Sequence, residues 1–172
     1  MSLRLHTSWG DLIATIDCGK VRTLRLAPLR GRPRKAFAFW GVTKDDQTDE
    51  RVAREVERFV KACLTGRTAP RPPFDLPAGP SFHQKVWRAM LRIPMGRTLA
   101  YGELARRIGH PRAARAVGQA CRANPLPLII PCHRVTAADG GLGGFSCGLA
   151  WKEWLLARER NGVAPFELTR RG

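Results

Sequence analysis

Five of the thirteen residues from Thr68 to Pro80 are proline. Proline locks φ and lacks a backbone N–H, so no helix interior or central strand can run through such a stretch. The chain is therefore expected to fold in parts on either side of a linker at residues 67–80, with a module at 1–66, a second at 81–160 and a tail at 161–172. Residues 1 to 29 largely alternate apolar and polar positions: Leu3 and Leu5, then Leu12, Ala14 and Ile16, then Leu24 and Leu26. Ile13 and Val21 fall out of phase. Breaks at Trp9-Gly10-Asp11 and Cys18-Gly19-Lys20 read as hairpin turns, which predicts a small antiparallel sheet. Residues 30–36 form a basic loop. Thr48 or Asp49 caps a helix with Val52, Val56, Phe59, Val60, Cys63 and Leu64 on one face, stopped near Gly66.

Beyond the linker the period becomes helical. Ser81 with Gln84 three residues on matches a capping box. It opens a helix with Phe82, Val86, Trp87, Met90 and Leu91 on its apolar face, ended by Pro94 and Gly96. A short helix runs from about Ala100 to Ile108, stopped by Gly109. Pro111, suited to a first helical position, opens a third helix to about Ala123. The tight Gly109-His110 turn makes this pair a helix-turn-helix candidate. On the third helix Arg112, Arg115, Gln119 and Arg122 share one face, with the small residues Ala114 and Gly118 beside them. Ala113, Val117, Ala120 and Cys121 fall on another face. The fold class is α/β: sheet plus helix, followed by a mainly helical unit.

Thirty Lys and Arg against fourteen Asp and Glu give a net charge of +16, most of it from arginine. A bias toward arginine codons would produce the same excess. Its concentration along one helix beside small residues points instead to a polyanion, with nucleic acid ahead of an anionic membrane. No signal peptide or membrane-spanning run is apparent. The five cysteines are odd in number and form no Cys-x-x-Cys pair, so neither a disulfide framework nor a zinc ribbon fits. Free thiols in the cytoplasm are expected, with no metal.

One cysteine stands apart. Asn124-Pro125-Leu126-Pro127 leads into the apolar run Leu128-Ile129-Ile130, read as a strand, and then into Pro131-Cys132-His133-Arg134-Val135. A thiol reacts as thiolate, and a neighbouring histidine with local positive charge can lower its pKa. A buried structural cysteine fits the spacing equally well.

Arg115-Ala-Val-Gly118, Asn124-Pro125, Pro131-Cys132-His133-Arg134-Val135, Gly141-Leu-Gly-Gly-Phe145 and Gly148-Leu-Ala-Trp-Lys152-Glu-Trp-Leu-Leu-Ala-Arg-Glu159 form an ordered set. It resembles the methylated-DNA–protein-cysteine methyltransferases, or O6-alkylguanine-DNA alkyltransferases, from about Ser81 to Glu159. Residues 1–66 match loosely the family's ribonuclease-H-like sheet and helix. The resemblance implies a C-terminal winged helix-turn-helix and a single-use, stoichiometric transfer of alkyl from O6-alkylguanine, and O4-alkylthymine after it, to Cys132. The partner is then double-stranded DNA bearing the lesion, bound by a monomer in the cytoplasm or on the nucleoid, with no cofactor.

On that resemblance, His133 takes the thiol proton through a water, Glu159 orients His133, and Asn124 braces the cysteine turn. Arg115 is the finger that replaces the extruded base, and Arg112, Ala114, Gly118, Gln119 and Arg122 contact DNA. Tyr101 bonds guanine N3; Val135, Ser146 and Cys121 line the guanine pocket. The chain departs from many relatives in carrying Phe145-Ser146-Cys147-Gly148 for Tyr-x-Gly-Gly, and Cys121 where larger apolar residues often stand. Both bear on substrate range. Other readings are a non-catalytic sensor of alkylated DNA and a transcription regulator using the helix-turn-helix.

Overall fold

A computed structural model describes residues 2–7, 10–27, 39–44 and 49–161. Its N-terminal half is a four-stranded antiparallel sheet of order β3-β2-β1-β4, built from β1 (Ser2–Thr7), β2 (Leu12–Asp17), β3 (Lys20–Leu26) and β4 (Phe39–Lys44). The expected alternation is there. Leu3, Leu5, Leu12, Ala14, Ile16, Leu24 and Leu26 are all buried, as a sheet with one covered face requires. Val21 is buried too, because the β2–β3 register slips between Thr15/Ile16, pairing Thr23 with Thr15 but Val21 with Ile16. The bulge gives β3 one extra residue and turns Val21 back to the core. Ile13 is left on the other face, half-buried. β4, outside the sheet expected over residues 1–29, pairs with β1. The basic loop at 30–36 lies outside the described residues.

Helix α1 (Glu50–Leu64) is capped by Asp49, whose carboxylate accepts from the backbone N–H groups of Arg51 and Val52. It places Val52, Val56, Phe59, Val60 and Leu64 in one apolar core with the sheet's inner face. Segment 67–80 has no helix or named strand, yet it is bonded on both sides. Its Pro73 carbonyl accepts from Val21 N–H at 2.8 Å, and Asp75 pairs with Lys20 and Arg22. β3 is an edge strand; Pro73 and Pro125 answer its spare donors, since Leu24 N–H reaches the Pro125 carbonyl at 2.9 Å. Trp151 Nε1 donates to the Ala27 carbonyl at 2.8 Å and closes the same seam.

The second half holds α2 (Ser81–Met90), β5 (Leu99–Ala100), α3 (Tyr101–Arg107), α4 (Ala114–Arg122), β6 (Val135–Thr136) and α5 (Leu149–Asn161), with β5 and β6 paired in parallel. Trp87, on the buried face of α2, ties that helix to α4 by donating from Nε1 to the Ala120 carbonyl at 2.9 Å.

Three local expectations are corrected. The capping box at Ser81 and Gln84 does not form: Ser81 is the first helical residue, Pro80 holds the cap position in extended φ/ψ, and the Gln84 side chain donates to the Gly79 carbonyl. Helix α4 starts at Ala114, because Ala113 N–H closes a separate turn onto the His110 carbonyl. Arg112 therefore precedes the helix and leaves its basic face. The Leu128–Ile130 run is a buried turn, with Leu128 at φ 71 and Ile130 N–H bonded to the Leu126 carbonyl at 2.8 Å. Pro125, Pro127 and Pro131 remove the donors a strand needs. Among the described residues no helix is long and apolar enough to cross a membrane.

Asp49→Ala should cost about 1 kcal/mol in urea unfolding, as loss of a working cap does. Ser81→Ala should stay within about 0.5 kcal/mol, as a surface substitution does; an equal cost at both sites would restore the capping box.

Candidate active site

Asn124 builds the turn that presents Cys132. Its side-chain amide donates to the Ile130 carbonyl at 2.9 Å and to Cys132 Sγ at 3.2 Å, while its Oδ1 accepts from Leu126 N–H at 3.0 Å. One buried side chain thus replaces the ladder that the prolines deny. Cys132 opens a single 3-10 turn, Cys132–Arg134, and is 2% exposed.

His133 is buried and its Nε2 lies 2.8 Å from Glu159 Oε1. Arg134, also buried, donates to both Glu159 oxygens from Nε and to Oε1 from Nη2, and from Nη1 to the Ile93 carbonyl at 2.8 Å. Gly96 N–H adds a bond to Glu159 Oε2 at 3.2 Å. Burial pushes the Glu159 carboxyl up, but the bonds from His133 and Arg134 outweigh it and bring the pKa to about 2. An ionised carboxylate can only accept, so His133 carries its proton on Nε2 and keeps a lone pair on Nδ1. Burial holds the His133 pKa below its ordinary value despite the Glu159 bond. Its Nδ1 is the one buried side-chain nitrogen or oxygen among the described residues with no hydrogen-bond partner. A buried neutral base with a free lone pair, oriented by an acid, can accept a proton.

The thiol itself differs from expectation. Burial pushes Cys132 up to about 11, with the Asn124 bond and the Lys152 charge pulling the other way. His133 is neutral and Arg134 is paired with Glu159, so neither supplies the positive charge the neighbouring residues were expected to provide. Cys132 rests as a thiol.

Cys132 lines a cavity of about 1250 Å³. Ala114, Arg115, Gly118, Gln119 and Arg122 of α4 line it too, together with Tyr101, Cys121, Gly144, Phe145, Ser146 and Leu149. The basic face of α4 and the cysteine therefore share one opening, with Arg115, Gln119 and Arg122 exposed. Arg112 is not among the lining residues. Val135 is not either; it is buried and its carbonyl accepts from Lys152 Nζ. Cys147 packs against the core near Leu26 and is not among the lining residues. Cys121 does line it, with Sγ 3.6 Å from Met90 Sδ.

The glycine loop is held from beneath. Lys152, 0% exposed, bonds the Val135 and Gly144 carbonyls, and the Tyr101 hydroxyl donates to the same Gly144 carbonyl at 3.3 Å. Gly143, at φ 65, has no room for a side chain: a Cβ there would lie 2.7 Å from the Tyr101 ring.

Arg134, Lys152 and Gly96 join the site without having been expected there. Lys152 carried a signal: it falls four and seven residues before Leu156 and Glu159, on the inward face of α5. Gly96 is at φ 74 and a Cβ would meet the Glu159 carbonyl oxygen at 3.0 Å. Only the fold brings that contact about.

Known proteins resemble this chain in sequence and in fold. Residues 81–161 match the family model described as the 6-O-methylguanine DNA methyltransferase, DNA binding domain. A methylated-DNA–protein-cysteine methyltransferase of Methanosarcina mazei is 44% identical over 113 residues, covering 64% of this chain and 70% of that protein. The Mycobacterium tuberculosis protein of the same name is 50% identical over 91 residues, covering 53% of this chain and 54% of its own length. The crystal structure of Mycobacterium tuberculosis OGT in complex with DNA superposes with a TM-score of 0.76 at 34% identity, covering 95% of each chain. The sequence and fold matches thus define a class, the O6-methylguanine DNA methyltransferases. This chain belongs to the methylated-DNA–protein-cysteine methyltransferase family.

With the Cys132 thiol near 11, iodoacetamide should label Cys132 slowly at pH 7 in DNA-free protein. The rate should climb about tenfold per pH unit toward pH 10, following the thiolate fraction; a plateau already at pH 7 would mean a resting thiolate. Glu159 titrates below its ordinary value of 4.5, near 2, so its contribution to stability is complete above pH 4.5 and is lost as pH falls toward 2. Glu159→Gln should flatten that part of the acid-unfolding curve.

Proposed function

We propose that this protein reverses alkylation damage in DNA by moving the alkyl group of O6-alkylguanine, methyl above all, onto Cys132. The observation that carries this reading is the shared cavity: a buried thiol and the exposed basic face of α4 line the same opening. The names of the relatives, and a neighbouring structure in complex with DNA, support it.

The chemistry follows from the site. An alkyl carbon stacked inside a duplex cannot meet a buried sulfur, so the nucleotide must swing out into the cavity. Arg115, exposed on α4 and in the lining, fills the space the base vacates. Ala114 and Gly118 let the helix backbone approach the groove, and Gln119 and Arg122 contact phosphates and bases beside it. Tyr101 and Ser146 receive the guanine, and Cys121 packs on it. Arg112, off the helix, contributes charge near the DNA without a place in the cavity.

Once the lesion fills the cavity, His133 Nδ1 accepts the thiol proton through one water, and Glu159 stabilises the imidazolium that forms. The sulfur attacks the alkyl carbon in line, the S–C bond forms and the C–O6 bond breaks. The electron pair goes to the purine, which leaves as guanine after taking up a proton. No group in the site reverses a thioether, so each molecule acts once. The raised resting pKa suits this scheme, because a protonated thiol is spared side reactions until the substrate arrives.

We further read residues 1–66 as a ribonuclease-H-like module and residues 81–160 as a winged helix-turn-helix, joined by the 67–80 strap. The family match beginning at Ser81 supports that division.

Mass spectrometry after mixing with duplex DNA carrying one O6-methylguanine tests the proposal. One methylene should be gained on the Cys132 peptide, with an endpoint stoichiometric in protein. Tight binding without mass gain would make the protein a sensor instead. Arg115→Ala should slow repair in duplex about tenfold or more beyond its effect on the free base; equal losses would remove the finger role.

A further inference from the structure

Arg71 sits in the proline-rich strap, outside the helices that carry the site. Its Nε donates to the Ile129 carbonyl at 3.1 Å and its Nη2 to the Leu91 carbonyl at 3.2 Å. Both acceptors belong to segments that position reacting groups. Ile129 lies in the turn before Cys132, one residue from the Ile130 carbonyl that binds the Asn124 amide. Leu91 precedes Ile93, whose carbonyl binds Arg134. One guanidinium thus ties the nucleophile's turn to the segment that anchors the Glu159 clamp. Among the described residues no carboxylate pairs with it.

Arg71 is itself held from the N-terminal side. Two residues on, Pro73 accepts from Val21, and Asp75 pairs with Lys20 and Arg22 of β3. Burial and the like charge of Arg134 lower the Arg71 pKa. Cys63 of α1, pushed up to about 12 by burial and then by Glu159, feels the same group of charges. Cys63 and Arg71, both from the N-terminal half, thus lie within electrostatic reach of Arg134.

We infer that Arg71 is a positioning residue for alkyl transfer, through which the strap and the N-terminal sheet hold the Cys132 turn in register with the His133–Glu159–Arg134 cluster. This rests on the transfer reaction proposed above. An arginine suits this place because its planar fork reaches two carbonyls at a fixed separation, which a lysine's single ammonium does only in part. Displacing a reacting group by about 1 Å can cost about a hundredfold in rate while leaving recognition intact.

The test compares Arg71→Met, Arg71→Lys and Asp75→Asn with the unaltered protein. Four quantities are measured: the melting midpoint, Kd for O6-methylguanine duplex, the single-turnover transfer rate, and the rate of Cys132 labelling by iodoacetamide. Arg71→Met should bind within about twofold of the unaltered protein but transfer about tenfold to a hundredfold more slowly. Arg71→Lys should recover part of that rate, and labelling of Cys132 should change about threefold or more in Arg71→Met. Asp75→Asn, which loosens the strap's hold on β3 but leaves the Arg71 bonds to both carbonyls, should slow transfer, though by less than Arg71→Met does. The inference is overturned if Arg71→Met transfers normally, if its loss lies wholly in binding, or if Asp75→Asn is slowed equally. Should Arg71→Met fail to fold, Arg71→Lys decides on the same criteria. If the unaltered protein moved no methyl group, the functional reading would fall, and unchanged Cys132 labelling in Arg71→Met would separately overturn the role of Arg71.

Discussion

The Glu159 carboxylate is buried, and a buried charge is costly unless it is fully paired and hydrogen-bonded. Four donors meet it: His133 Nε2, Arg134 Nε and Nη2, and Gly96 N–H. They come from the turn that carries Cys132 and from the loop after α2, while Glu159 itself comes from the last helix. Satisfying this one group therefore fixes three segments at once. It also fixes the proton on His133, because an ionised acid leaves the imidazole a single tautomer with Nδ1 free. The same bonds that make the charge tolerable leave the Nδ1 lone pair free.

Against that fixed cluster, Cys132 is placed by a second device of different kind. Three prolines around it forbid a strand, and Asn124 answers the stranded backbone groups with one side chain. The amide left over points at sulfur. Burial pushes the thiol up to about 11 against the pull of the Asn124 bond and the Lys152 charge. The deep thiol and the exposed basic face of α4 thus open onto one cavity.

The two halves of the chain are not independent in the structure. The edge strand β3 gives its spare donors to Pro73 and Pro125, Trp151 reaches Ala27, and the apolar core runs from the sheet through α1 to α5 without a break. A proline-rich segment has few ways to satisfy its carbonyls internally, so it borrows partners from both sides. That is why a stretch that reads as a spacer behaves as a strap.

Local pattern alone determined much of this protein. Alternation marked β1 to β3, the Asp49 cap and its apolar stripe marked α1, and the period from Arg115 to Arg122 marked the exposed face of α4. The Pro-Cys-His-Arg-Val string, the upstream Asn124 and the distant Glu159 were legible because their spacing resembled a known set. Signals that depend on neighbours in sequence survive in a single chain. The bulge that buries Val21, the turn that replaces the Leu128–Ile130 strand, and the start of α4 past Arg112 were decided by competing backbone bonds that no periodicity records. The partners of Glu159, the buried place of Lys152, the reach of Arg71 and the raised Cys132 thiol were decided by tertiary structure alone. A pKa and a hydrogen-bond partner depend on what surrounds a group in space, and only the folded chain brings residues 71, 96, 134 and 159 to one place.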